Sequence, residues 1–349
     1  MRRFSLWVLL LVIAAALGGS IAYAARPWYD AAQVISHDTG QALPSPERAT
    51  FTPVPTARVV KARPTPTATL PPIKSASGRI NFLLLGSDND AKNPVGTSPN
   101  TQVIIFVSFD TKRKEVYSIT IPRDLYVPIP GFISDKIDTA PGYSNMSLVV
   151  STVEANFHVH IDHYAWIGLR GFINVINSLG GVDIFVMHPM VENDFPDDLN
   201  PNGGVYAIRR FFIPAGPQHL DGVTALQYVR ARHADLIGDF GRSQRQQQVL
   251  LQVRAKLKGM DLSTIPTLIQ DMGDQFKTDL GIPTILALAK DTLGIPASHI
   301  HQYYPTDGNG YAVEQTLPTV GDALIPNWPK FNALFSCVMS DNAYKGCSM

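Results

Sequence analysis

Ile80-Asn-Phe-Leu-Leu-Leu85-Gly86-Ser87-Asp88 decides the fold. A short apolar run ending in Gly-Ser-Asp reads as a buried strand that feeds a loop. A second run, Thr101-Gln-Val-Ile-Ile-Phe-Val-Ser-Phe109, leads through the polar turn Asp110-Thr-Lys-Arg-Lys114 into a third, Glu115 to Ile121. The last two read as a hairpin; Pro122 stops it and Arg123-Asp124 open a loop. Helical spacing follows over 144–157 and 169–179, with strand-like runs at 164–167 and 182–187. Residues 188–208, rich in Asp, Asn, Pro and Gly, read as a mobile insertion. A helix is expected from Gly216 to Val229, further helices over 242–258, 262–272 and 283–293, and a late strand near 301–304. Alternating strands and helices predict a three-layer α/β/α sandwich. The hairpin makes its central sheet mixed.

Ahead of this domain lies a different kind of chain. Met1-Arg2-Arg3 precedes an uncharged run from Phe4 to Ala25. About 20 helical residues at roughly 1.5 Å each span roughly 30 Å, the thickness of a bilayer core. The reading is a cytoplasmic N-terminus over 1–5, a transmembrane signal-anchor over 6–25, and everything later outside the cell membrane in a single pass. A cleaved signal peptide, with Ala22-Tyr23-Ala24 as its processing site, is the alternative. Residues 26–78 form an extracytoplasmic linker; eight prolines fall between Pro44 and Pro72, with Thr and Ala between them. That composition gives an extended, semi-rigid stalk. The two cysteines, Cys337 and Cys347, can pair in an oxidising compartment or stay as free thiols near a frayed end.

Net charge is zero over 349 residues, with 17% charged and 45% hydrophobic. The basic charge is nevertheless concentrated in one place, Gln227-Tyr-Val-Arg230-Ala-Arg232-His233 through Asp239-Phe-Gly-Arg242-Ser-Gln-Arg245-Gln246. Arg230 and Arg232 leave the same face of an extended segment. Arg242, Arg245 and Gln246 share a face of a helix. Asp239 stands where a helix N-cap is expected. Guanidinium forks beside a positive helix end suit a phosphate or diphosphate. The plainer alternative is a set of solvated charges, or ion-pair partners of Asp235 and Asp239.

His158-Val-His160-Ile-Asp162-His163 has the letter pattern of a dinuclear zinc hydrolase. Its context is wrong for that motif, because a helical pattern precedes it and Tyr164-Ala-Trp-Ile follows. There is no phosphate-cradling glycine loop, no nucleophile elbow and no dinucleotide fingerprint. A neutral chain without basic-aromatic interleaving argues against nucleic acid.

Several stretches, in this order, resemble the LytR–CpsA–Psr family of envelope glycopolymer transferases. They are Asn81 to Asp88, Ser118-Ile-Thr-Ile-Pro-Arg123-Asp124, Asp135-Lys-Ile-Asp-Thr-Ala140, Ile161-Asp-His-Tyr164, Leu179-Gly-Gly-Val-Asp183, Gln218-His-Leu-Asp-Gly222, and Tyr228 through Gln248. The resemblance covers roughly 80–256. It implies a catalytic and lipid-binding domain over 79–256, with 257–336 as an extension packed on it and 337–349 as a tail. It further implies a polyprenyl-diphosphate-linked glycan donor, its lipid tail in an apolar cavity between sheet and helices, and a peptidoglycan acceptor. Carried over by position, Arg123, Arg230, Arg232 and Arg242 would clamp the diphosphate. Gln246 would contact phosphate, Asp239 would support the clamp or act as base, and Asp88 would hold Mg²⁺. Reassigning His163 to the Ile-Asp-His-Tyr element removes most support for the zinc reading.

One position departs from the family pattern. Where a second metal-binding Asp is expected, this chain has Asn100 in Ser98-Pro99-Asn100-Thr101. Mg²⁺ prefers charged oxygen ligands, so a weaker metal site is expected. A non-catalytic polyprenyl-phosphate receptor or regulator of envelope biogenesis is therefore the second functional reading.

Overall fold

The computed structural model describes residues 78–88, 100–200, 202, 207–231 and 238–349, the side chains of 238–240 excepted. The anchor over 6–25 and the linker up to residue 77 lie outside them, as does Arg232. Among the described residues no helix is long and apolar enough to cross a membrane.

Strands β1 (Arg79–Ser87), β2 (Thr101–Asp110) and β3 (Glu115–Thr120) come first, followed by the small hairpin β4 (Tyr126–Pro128) and β5 (Ser134–Lys136). Helix α1 (Met146–Phe157), β6 (His163–Ile167), α2 (Leu169–Ser178) and β7 (Val182–Val186) follow. Next are β8 (Met190–Pro196), β9 (Ile208–Ile213), β10 (Gly216–Leu220), α3 (Gly222–Arg230) and α4 (Gly238–Lys258). The chain continues through α5 (Ile265–Met272), β11 (Phe276–Thr278), α6 (Ile282–Leu293) and β12 (Ile300–Tyr303). It closes with β13 (Ala312–Leu317), β14 (Gly321–Pro326) and α7 (Trp328–Met339).

The central sheet has six strands in the order β11-β6-β1-β2-β3-β12. The β1–β2, β2–β3 and β11–β6 pairs are antiparallel, whereas β1–β6 and β3–β12 are parallel. The sheet is therefore mixed, as the predicted hairpin requires. Strand alternation sends neighbouring residues to opposite faces. Leu83, Ile104, Phe106, Tyr117, Ile119 and Trp166 pack into a core with α1 and α7. Leu84, Val103, Ile105, Ala165 and Ile167 face the other way, towards α2, α3 and α4. Helices thus cover both faces.

Tertiary contact redraws several expected elements. The polar stretch 188–208 is not a bare insertion, because Met190–Pro196 pairs with Ile208–Ile213 as a ribbon. Met190, Phe195, Phe211 and Ile213 turn inward to the core under α3. Residues 216–220 are strand, pairing with β7, and the helix begins only at Gly222 after the Asp221 cap. Asp221 Oδ1 accepts from the Thr224 amide at 2.7 Å. Region 257–336 supplies β11 and β12 to the main sheet, so it is integral to the domain. Segment 337–349 is tied down too, since Cys337 sits in α7, Ala343 is fully buried and Cys337 and Cys347 form a disulfide.

Candidate functional site

The β1–β2 register sets the site. Ser87 lies opposite Thr101, so the two strands release Asp88 and Asn100 side by side. The Asp88 amide donates to the Asn100 carbonyl at 3.3 Å. Gln102, one turn of the pleat inside β2, reaches both neighbours. Its Nε2 donates to Asp88 Oδ2 at 3.2 Å, and its Oε1 accepts from an Arg123 guanidinium nitrogen. Arg123 also donates through Nε to Asp124 Oδ2 at 3.3 Å, and Lys136 Nζ lies 3.7 Å from Asp124 Oδ1. Beneath this row sits Asp138, 5% exposed, its amide donating to the Arg123 carbonyl at 3.1 Å.

Electrostatics follow from that burial. Desolvation raises the Asp88 carboxyl above its ordinary value, and the Arg230 guanidinium only partly offsets it. Desolvation pushes Asp138 up to about 7 against the pull of Arg123. Asp88 Oδ1 and Asp138 Oδ1 are both buried without a hydrogen-bond partner. A buried carboxylate oxygen in that condition is costly alone. For Asp88 it fits the demands of Mg²⁺, which needs one or two protein carboxylates beside phosphate oxygens and water.

The second half of the site comes from α3 and α4. Arg230 is the last residue of α3 rather than part of an extended segment. Its guanidinium donates to Asp198 Oδ2 at 2.6 Å and lies over the Phe195 ring. Arg242, Arg245 and Gln246 are all buried on one face of α4, as their spacing predicts. Arg245 turns back to the end of α3, donating to the Tyr228 carbonyl at 2.8 Å and the Ala231 carbonyl at 2.6 Å. Asp239 is inside the first turn of α4, one residue past its start, and so is not the cap.

Between the sheet and helices α2, α3 and α4 lies a cavity of about 260 Å³. Its wall is almost wholly apolar, including Leu84, Val103, Phe172, Leu226 and Val249; the polar interruptions are Ser87, Gln102, Arg230 and Gln246. Ser87 precedes Asp88 in the chain, Gln102 bonds both Asp88 and Arg123, and the Arg230 charge acts on Asp88. The cavity therefore ends where the charged groups begin.

The histidine motif does not converge. His163 Nδ1 pairs with Asp279 at 3.0 Å and His160 Nδ1 with Glu154 at 2.9 Å. Asp162 Oδ2 accepts the Asn81 amide at 2.7 Å, and His158 caps α1 in the left-handed region. Among the described residues no group of three or more His, Cys, Asp or Glu could hold a metal.

A mixed-sheet α/β sandwich with an apolar cavity that ends at the half-buried Arg230 is the class defined by this fold and site. The chain belongs to the LytR_cpsA_psr family, whose profile matches residues 55–316. It is 29% identical over 236 residues to the Bacillus subtilis polyisoprenyl-teichoic acid–peptidoglycan teichoic acid transferase TagV, covering 64% of this chain and 58% of TagV. It is 33% identical over 220 residues to TagT of the same organism, covering 62% of each. The chain thus spans under two thirds of the length of these relatives. The B. subtilis TagV crystal structure superposes with a TM-score of 0.61 at 24% identity, covering 76% of this chain and 98% of that one, which shows the shared fold. A structure of TagT bound to LI-WTA gives 0.56 at 25% identity, covering 74% and 88%.

Gln102 and Asp138 join the site through tertiary contacts that their sequence positions do not announce. A lone amide in the apolar run 101–109 was the available signal for Gln102. Asp138 sits inside a recognised motif, but nothing in its spacing marks it as buried.

Proposed function

We propose that the protein is a membrane-anchored phosphotransferase that moves a glycopolymer from a polyprenyl diphosphate onto a peptidoglycan hydroxyl outside the cell. One observation carries this reading: an apolar cavity is contiguous with Arg230, Gln246 and the Asp88–Gln102–Arg123 row. A lipid chain needs an apolar sleeve and its diphosphate needs guanidinium groups, and here the two adjoin. The names of TagT and TagV support the same chemistry.

The acceptor oxygen attacks the phosphorus that bears the glycan. The bond from that phosphorus to the bridging oxygen breaks, and polyprenyl phosphate leaves with the electron pair. The hydroxyl proton passes to a carboxylate, the role given to Asp239. Arg123, Arg230, Arg232 and Arg242 hold the diphosphate and offset charge as it shifts to the leaving group; Gln246 donates to a phosphate oxygen. Gln102 fixes the Arg123 fork in position. Asp88 would hold Mg²⁺, which supplies further neutralisation of phosphate charge. Release of polyprenyl phosphate from a lipid-diphosphate donor tests this. Arg123→Ala is expected to abolish release, and full turnover in that variant would contradict the assignment.

Asn100 supports a second reading, a receptor for polyprenyl phosphate without turnover. Asn100 is exposed and backbone-bonded to Asp88, and it holds a neutral amide where the family pattern has a carboxylate. Asn100→Asp separates the two: a large gain in Mg²⁺-dependent rate marks a catalytic site, and no change favours the receptor.

A further inference from the structure

The hairpin β4–β5 carries a feature that the donor site leaves unused. Its tip holds Phe132, 49% exposed, and Ile133, 66% exposed. The tip is built stiffly, with Pro128, Pro130 and a left-handed Gly131 (φ 80°), and the Phe132 amide donates to the Ile129 carbonyl at 2.9 Å. Phe132 is therefore held outward rather than left loose. One side of its ring meets Tyr143, with centroids 5.2 Å apart and planes at 43°. The Tyr143 hydroxyl donates to Asp135 Oδ2 at 2.6 Å, and Asp135 Oδ1 accepts the Lys136 amide at 2.7 Å. A carboxylate has about four acceptor positions, so among the described residues these two bonds leave Asp135 able to accept more beside Tyr143.

The other end of the hairpin reaches the donor site. Tyr126 pairs with Lys136, whose ammonium contacts Asp124, which in turn accepts from Arg123. Three strand residues at about 3.3 Å each separate this base from the tip by about 10 Å. That is within reach of a single oligosaccharide lying along the hairpin.

We propose that Phe132, Tyr143 and Asp135 form the subsite for the acceptor, a strand of linked amino-sugar rings, on the flank of the Arg123 clamp. This rests on the transferase reading above. A pyranose ring has an apolar C–H face and a rim of hydroxyl groups. An exposed ring face beside a fixed carboxylate and phenol matches both. A bilayer is the other conceivable occupant of an apolar hairpin tip. It fits poorly, because insertion would desolvate the Asp135 carboxylate at the edge of the rings.

The test uses the full chain in detergent micelles and chitotetraose, a β-1,4-linked N-acetylglucosamine tetramer, followed by saturation-transfer NMR. Phe132→Ala is expected to weaken binding about tenfold, and Phe132→Tyr to restore it. In transfer assays the loss falls on the KM of the acceptor and not on that of the donor. Unchanged chitotetraose binding in Phe132→Ala, or none in the wild type, overturns the proposal. Loss of binding to phosphatidylglycerol vesicles with sugar binding intact overturns it as well, and makes the tip a bilayer contact. Arg123→Ala should keep chitotetraose binding while losing transfer. If it transfers normally the donor reading fails, and the sugar-binding result still decides the subsite.

Discussion

Gln102 couples Asp88 and Arg123, the two groups to which the proposed headgroup chemistry is assigned. With its amide hydrogen-bonded to Asp88 on one side and Arg123 on the other, neither side chain can drift alone. Gln102→Leu keeps the cavity wall apolar but uncouples the pair. Polyprenyl phosphate release is expected to fall by roughly 10²-fold, the usual cost of a misplaced catalytic group. Asp138 makes a pH prediction. Its folded-state value of about 7 stands above the ordinary 3.8, so folding favours the protonated acid. Its contribution to stability is fully present below pH 4 and is lost as pH rises through 7. Against Asp138→Asn, the wild type should lose about 2–4 kcal/mol between pH 4 and pH 8, read from urea unfolding at each pH. A constant difference between the two proteins would show that Asp138 is not held neutral.

Helix α4 is held by three adjacent glutamines that do three different jobs. Gln246 lines the cavity, Gln247 bonds Ser118 and Thr120 of β3 and Gln302 of β12, and Gln248 bonds Tyr228 and the Phe185 carbonyl. The helix that bears Arg242 is thereby locked to the sheet edge. Gly222 explains its motif by close approach: a Cβ there would lie 2.3 Å from the Ile173 carbonyl oxygen of α2. Gly222→Ala must push α3 away from α2, and a loss of about 2 kcal/mol or more is expected in denaturant unfolding. The Cys337–Cys347 disulfide closes a ten-residue separation against the α7 end of the core. Replacing both cysteines by Ser should cost roughly 2–3 kcal/mol, seen as a lower Tm. Strands β1, β2, β3 and β6 are legible because each is a largely apolar run, whereas β11, Phe-Lys-Thr, carries no such signal. Ribbons such as β8, Met-Val-Glu-Asn-Asp-Phe-Pro, are not legible either, because their order comes from pairing with a distant partner and from one inward face.

Across the whole molecule, one sheet face is filled and the other is left open. The α1–α7 side packs aromatic against aromatic, with Phe157 meeting Phe331, Phe335 and Trp328. The α2–α3–α4 side leaves an apolar cavity. Val249→Trp should fill that space, leave a cooperative melt, and remove co-purifying polyprenyl lipid from mass spectra of the extracted protein. Retained lipid would place the binding surface elsewhere. Sequence by itself determined the mixed α/β fold, the strand that delivers Asp88 and the helical face shared by Arg242, Arg245 and Gln246. Those depend on periodicity and on local backbone chemistry, which neighbouring residues set. Only the tertiary structure decided that Gln102 joins Asp88 to Arg123, that Arg245 serves α3 by bonding its end, and that Asp138 is buried against the Arg123 backbone. Each of those turns on which residues far apart in the chain share one desolvated space, and burial of that kind is a property of the packed whole.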